Sequence, residues 1–274
     1  MQSRQAFLGV LRAAICFAAC ISLLPAATSL AQFGGSPATK PADAAESDGS
    51  AKESAGSIAA KAPKLPDPEG AKALSETDRV WVDVKNHLVY VDGYVALREG
   101  YLEMFACTMG TKEHESVVGV RTKAATVHAA LLAAGAVPGH PVKFRPEFVP
   151  AAGTEIEIEV RWLGEDGKWQ SAKAQEWVRE IKSKKEMSHG WVFGGSGFWT
   201  DEANGKRYYQ AEGGELICVS NFASATLDVP FESTDSDDAL EFQAFTEHIP
   251  KLGTPVRLVL KPVLEKKADA EKKS

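Results

Sequence analysis

Cysteine is scarce in this 274-residue chain, basic charge is not in excess, and long apolar runs are missing. Each absence excludes something. Thirty-one Lys and Arg stand against 37 Asp and Glu, a formal charge of −6 with a pI near 5.6. Such a balance leaves no basic footprint for gripping a phosphate backbone, so nucleic acid is not an expected partner. The most apolar stretch, residues 13–24, is too short to cross a bilayer comfortably. Catalytic signatures are missing too: there is no G-x-x-x-x-G-K-[ST], no H-E-x-x-H and no C-x-x-C. Residues 194–198 (GGSGF) fail as a nucleophile elbow, because Phe198 stands where the last glycine belongs. What remains is 44% apolar and 25% charged residues, the range of an ordinary soluble globular chain.

Residues 1–31 read as a secretory signal peptide. Arg4 and Arg12 charge its amino end, Pro25 breaks the apolar run, and Ser29-Leu30-Ala31 sets small residues at a cleavage site before Gln32. Extended through Leu30, the same stretch would instead read as a retained anchor. The signal reading predicts an exported protein, periplasmic or extracellular, with no stable membrane span after cleavage. Cleavage removes two arginines and no acid, taking the formal charge from −6 to −8, and it removes Cys16 and Cys20. Cys107 and Cys218 are left, and in an oxidising compartment they either pair as a disulfide or stay as buried free thiols. Two cysteines cannot supply the four thiolates of an ordinary iron–sulfur cluster or a Cys₄ zinc site, so no iron–sulfur cluster is expected.

Residues 32–77 shift to Ala, Ser, Pro, Lys, Gly and Asp, a composition that predicts a disordered linker. Residues 264–274 read as a polar, disordered tail. Between them, residues 78–263 hold all six tryptophans and form a single expected domain. Two-residue alternation dominates it. Val80, Val82 and Val84 predict a strand that turns at residues 85–87 into another over 88–95. The clearest case is 154–162 (TEIEIEVRW), with Ile156, Ile158, Val160 and Trp162 on one face and Glu155, Glu157, Glu159 and Arg161 on the other. It turns back at residues 165–167 into 169–178. Further strands are expected at 101–107, 190–193, 207–211, 215–220, 240–245 and 255–262. Only 122–134 (TKAATVHAALLAA) has the helical period, with Thr122 as cap, Gly135 as stop, and Ala124, Val127, His128, Leu131 and Leu132 as apolar face. The fold class expected is α+β: a mainly antiparallel sheet or partly closed barrel with at least one covering helix at about 122–134.

The candidate chemistry centres on residues 110–116 (GTKEHES), where Lys112, Glu113, His114 and Glu115 crowd a loop between scaffold elements. His114 and Glu115 are candidates for proton exchange, and Lys112 for holding an anion. Cys107, His114 and His128 form a candidate metal set, with a carboxylate beside them, although their spacing matches no standard zinc signature. A solvated turn with local ion pairs is the competing reading of the loop, and a hydrogen-bonded core histidine that of His128. Trp191, Phe193, Phe198, Trp199, Tyr208 and Tyr209 gather around the 194–197 loop, itself read as a bulge or flexible hairpin loop. Any of them left exposed could stack on a sugar ring or line a partner groove, with Gln210, Glu212 and Asn221 as polar partners.

The segments 102–116 (LEMFACTMGTKEHES), 127–139 (VHAALLAAGAVPG), 174–178 (AQEWV), 191–198 (WVFGGSGF) and 208–222 (YYQAEGGELICVSNF), in this order, resemble the YdjY domain family over about residues 78–262. The resemblance implies one exported domain and brings no catalytic residues with it. Some relatives carry a ferredoxin-like label, which the two remaining cysteines do not support here. The expected function is a non-catalytic module that binds an envelope or extracellular ligand or protein. The alternative is a metal-assisted enzyme, of hydrolase type, centred on Lys112–Ser116; a divalent metal is expected only in that reading, and no other cofactor. The enzyme requires His114, Glu115 and either Cys107 or His128 to converge in a cleft, whereas the module requires an exposed aromatic or edge-strand surface.

Overall fold

The computed structural model describes residues 62–264, apart from Asp235, Asp237 and Asp238. The signal peptide expected over 1–31, residues 32–61 of the expected linker and residues 265–274 of the tail lie outside the described residues. In chain order the strands begin with β1 (Lys72–Ala73), β2 (Val80–Asp83), β3 (Leu88–Val95), β4 (Met104–Thr108), β5 (Ser116–Val120) and β6 (Pro138–His140). Next come β7 (Ala152–Gly153), β8 (Glu155–Leu163), β9 (Trp169–Lys173), β10 (Val178–Glu180), β11 (Trp191–Phe193) and β12 (Phe198–Thr200). The last are β13 (Arg207–Tyr209), β14 (Ile217–Cys218), β15 (Leu227–Asp228), β16 (Phe242–Ala244) and β17 (Pro255–Pro262). One α-helix, α1 (Ala124–Ala133), is found among the described residues, and short 3₁₀ turns occupy Glu113–Glu115, Ala174–Trp177 and Gln210–Gly213.

Eight of these strands close into a barrel in the order β3-β17-β8-β11-β15-β14-β4-β5, and β5 pairs back onto β3. Two neighbours, β14–β15 and β4–β5, are parallel; the other six pairings are antiparallel. Alternation decides which side chains enter the core. Val89 and Val91 of β3, Val256, Leu258 and Leu260 of β17, and Ile156, Ile158 and Val160 of β8 are buried in one cluster with Phe105, Trp177, Trp191 and Phe193. The closing seam requires glycine. A Cβ on Gly93 would lie 2.5 Å from the Gly119 carbonyl oxygen, and one on Gly119 would lie 2.7 Å from the Tyr94 ring. Two strands extend the sheet outside the ring. β2 pairs with the first half of β3 while β5 takes the second, and β9 pairs with residues 159–163 of β8 while β11 takes its start.

The fold is therefore β-rich and closed, with a helix that is a minor part of it. That helix buries Ala124, Val127, Ala130 and Leu131 against β2, β3 and the 210–213 turn. Two details of the expected helix are corrected. Leu132 is exposed rather than on the buried face, and Thr122 is not the cap: Lys123 holds that position, while Glu212 accepts hydrogen bonds from Ala124 N (3.1 Å) and Ala125 N (2.9 Å). Expected strands at 169–178 and 207–211 end early in 3₁₀ turns at residues 174 and 210, and Val84 is exposed beyond the end of β2. The strand β5 (SVVGV) escaped notice because it is buried on both faces and shows no alternation.

Residues 62–77, read as linker, are mostly exposed but are anchored to the rest of the domain. Ala62 and Leu65 are buried, and β1 pairs with β2. Three arginines hold this strap by its main chain: Arg121 Nη2 donates to Ala62 O (2.6 Å), Arg79 Nη2 to Leu65 O (2.6 Å) and Arg257 Nη2 of β17 to Pro66 O (2.7 Å). Composition reports what a segment can bury by itself, and these bonds come from elsewhere in the chain.

Candidate functional site

Lys112 lies at the centre of the 110–116 loop. Its Nζ is 3.3 Å from Glu103, 3.3 Å from Glu115 and 3.4 Å from Glu215, and 4.8 Å above the Phe222 ring. Burial alone would favour the neutral amine, but the charges of Glu115, Glu215 and Glu103 overcome it and raise the pKa. Glu103 is itself raised, first by burial and then by the charge of Glu115. The ammonium thus occupies the space between the carboxylates. Glu113 turns inward instead: it is buried, and its Oε1 accepts hydrogen bonds from Tyr94 Oη (3.1 Å) and Gly110 N (2.5 Å). His114 points to solvent, 76% exposed, with Nε2 3.8 Å from Glu115. Of the four expected candidates, then, Lys112 and Glu115 meet, His114 touches only their edge, and Glu113 is buried against Tyr94, which packs with Ala62 and Ala96 outside the main core.

The metal set does not assemble. Cys107 is buried on β4, and burial pushes its thiol up to about 11. His128 is half-buried on α1, where Nδ1 lies 2.9 Å from Tyr209 Oη and the ring packs edge-on to Phe193 and Tyr209. Burial lowers its pKa, and the competing reading of a hydrogen-bonded core histidine describes it. Among the described residues no three His, Cys, Asp or Glu side chains are grouped to hold a metal ion. The disulfide does not form either, since Cys107 and Cys218 are both free. Cys218 pairs with Met104, three residues along β4 from Cys107. That is about 10 Å of strand, beyond the reach of about 7 Å between bridged Cα atoms.

An exposed aromatic surface is present at the β12–β13 hairpin. Phe198, Trp199 and Tyr208 are exposed, Trp199 stacks on Tyr208 at 4.8 Å, and Arg207 lies 4.6 Å over Phe198. These contacts lie within the hairpin and leave all three rings exposed. Two of the polar partners expected beside it are committed elsewhere: Glu212 caps α1, and Asn221 is buried, donating to Asp228 (3.2 Å) and accepting from Ser233 N (2.7 Å). Trp191 and Phe193 belong to the core, and Tyr209 is buried with its hydroxyl donating to Gly195 O.

A second surface escaped the residue-by-residue reading. The outward positions of β3, β17, β8 and β9 line up in rows across the sheet, Asp92–Arg257–Arg161–Ser171 and Tyr90–Val259–Glu159–Lys173. All of them but Asp92 line two adjoining hollows of about 660 and 920 Å³ that share Glu159, Arg161 and Ser171. Residues 66–69 of the strap wall the first, and Trp169, 47% exposed at the start of β9, stands at its rim. Arg161 grips Glu159 through two bonds of 2.9 Å, and Lys261 binds Glu157 at 2.9 Å. Beside them Asp92 is buried between Arg257 (2.7 Å to Nε) and Arg79 (2.7 Å to Nη2). One signal in the sequence could have located this groove: Trp169 stands on the polar face of an otherwise alternating hairpin.

The family model of the YdjY domain matches residues 80–261, from the start of β2 to the last residue but one of β17. The chain belongs to the YdjY domain family. The resemblance seen in the sequence is thereby confirmed over nearly the span expected. No curated protein and no solved structure matches the chain. All eight barrel strands, and the sheet face under both hollows, fall inside the YdjY match, whereas the strap and β1 precede it.

Proposed function

We propose that this YdjY-domain chain is an exported, non-catalytic module that binds a ligand or partner of the cell envelope. The observation that carries the reading is the groove on the outer sheet face, a concave surface with a half-exposed tryptophan at the rim and fixed polar side chains on the floor. Sites of this kind, largely pre-formed and lined by a few placed polar groups, are the usual form of a binding site. The metal-assisted alternative loses its ligand set: Cys107 and His128 are committed to the interior, and the Lys112 ammonium fills the space among Glu103, Glu115 and Glu215.

Two measurements test the reading. Mass spectrometry of the full-length gene product after cell fractionation is expected to find a mature chain beginning at Gln32 outside the cytoplasm; an intact cytoplasmic precursor overturns export. Calorimetric titration with neutral oligosaccharides, anionic oligosaccharides and short unfolded peptides is expected to give saturable binding in at least one class, with no product after hours of incubation. Conversion of a bound ligand, or silence in all three classes, overturns the binding module.

A further inference from the structure

We infer that the outer groove takes several consecutive sugar residues of an uncharged glycan chain, an inference that rests on the binding-module reading and assigns its ligand and its site. Three properties of the groove lead there.

The first is the mixture of surfaces. Trp169 offers a flat apolar ring at the rim, with the Arg257 guanidinium 6.0 Å from it, and the apolar C–H face of a pyranose packs on such a ring while its hydroxyls stay bonded. Beside Trp169 lie polar groups, the planar Arg161–Glu159 fork, the Gln170 amide and the Ser171 hydroxyl, facing the rings of Pro66 and Pro68 in the strap wall. Paired donors and acceptors on fixed planes suit vicinal hydroxyls. The apolar residues of the floor, Tyr90 and Val259, are already packed with Trp81, so no deep apolar recess is left for a peptide side chain.

The second is charge. The two hollows carry six carboxylates against four cations, and the central charges neutralise one another in Arg161–Glu159, Lys261–Glu157 and Arg257–Asp92 pairs. A small negative surplus repels phosphate and uronate chains, and the paired side chains keep hydrogen-bonding capacity for a neutral ligand.

The third is shape. The hollows adjoin along β8 from Glu155 to Arg161, about 20 Å of strand, an open channel rather than a closed cage. Residues 66–69 form a wall held in place before any ligand arrives, since Arg79 and Arg257 bind the Leu65 and Pro66 carbonyls. Pre-organisation of this kind lowers the ordering cost of binding.

Isothermal titration calorimetry on the full chain tests the inference with neutral hexaoses (cello-, laminari-, malto- and chitohexaose), a hexagalacturonate and a lysine-rich peptide. At least one neutral hexaose is expected to bind. Trp169→Ala is expected to weaken that binding at least tenfold and Trp169→Phe no more than threefold, while Trp199→Ala, on the β12–β13 hairpin, leaves it within twofold. Ser171→Phe fills the channel on an exposed edge strand without removing the ring, and is expected to match the loss in Trp169→Ala. Neutral binding that survives both Trp169→Ala and Ser171→Phe overturns the site. Binding of only the galacturonate or the peptide overturns the ligand class and leaves the binding module standing. Silence across the panel overturns both.

Discussion

Asp228 has no exposed surface, and its carboxyl meets only neutral donors: Val229 N at 2.8 Å, Asn221 Nδ2 at 3.2 Å and Phe222 N at 3.4 Å. Burial raises its pKa to about 7, against the downward pull of those hydrogen bonds. Between the ordinary aspartate range and pH 7 the native state therefore keeps a proton that the unfolded chain has lost. Stability from this group is full below about pH 4 and is lost as pH rises toward 7, on the order of 1 kcal/mol per pH unit. In Asp228→Asn the titration is gone. The amide NH₂ then faces the Phe222 N–H, so the variant is expected to melt lower at pH 5, yet to lose less stability than the parent between pH 5 and 8. Thermal unfolding followed at both pH values checks this, and equal slopes in the two proteins would contradict it. Asp92 is the contrasting acid, equally buried but held between two guanidiniums. Nothing local in the sequence separates the two aspartates; their neighbours across the sheet do.

Elements were legible where their own pattern sufficed. The alternation of 154–162 placed Ile156, Ile158 and Val160 in the core, and 255–262 emerged as β17 with the expected limits. The helix was found within two residues at its start, but its cap was not, because the capping carboxylate of Glu212 lies 88 positions from Ala124. Losing a carboxylate cap costs about 1 kcal/mol. Glu212→Ala is expected to lower the urea unfolding free energy by that amount. Thr122→Val is expected to change it by less than about 0.5 kcal/mol or to stabilise, since the Thr122 hydroxyl is buried without a partner. A larger loss from Thr122→Val than from Glu212→Ala would restore the local cap. β5, β12 and β15 were missed for related reasons: one has no polar face, and the others are only two or three residues long.

At the scale of the molecule, the barrel and the strap meet at Asp92. It binds Arg79 and Arg257, and both arginines reach on to the strap carbonyls. Removing the acid leaves the Arg257 guanidinium buried without its counter-charge, whereas Arg79 keeps Asp67 at 2.7 Å; the loss is about 3 kcal/mol by the usual cost of breaking a buried pair. Asp92→Ala is expected to show that loss in urea unfolding and, in native buffer, faster protease cleavage within residues 62–69. Destabilisation with unchanged cleavage of the strap would show that its carbonyl bonds stand without Asp92. Because residues 66–69 wall the groove, the same variant connects the strap to ligand affinity. The YdjY match begins beyond the strap, at Val80, so this wall is an addition to the matched sheet face.

The sequence by itself determined the β-rich class, the longest strands and helix α1, because each of these depends on residue spacing within a single segment, and it determined the family through several such segments in order. It also placed Glu155, Glu157, Glu159 and Arg161 on one outward face. Only the tertiary structure decided that β5 closes on β3 through Gly93 and Gly119, and that Lys112 is enclosed by carboxylates from three separate segments. The same holds for Cys107, His114 and His128, which serve different surroundings, and for the strap that completes a groove under Trp169. These outcomes depend on contacts between residues far apart in the chain, and such contacts follow from register and closure, which no local period encodes.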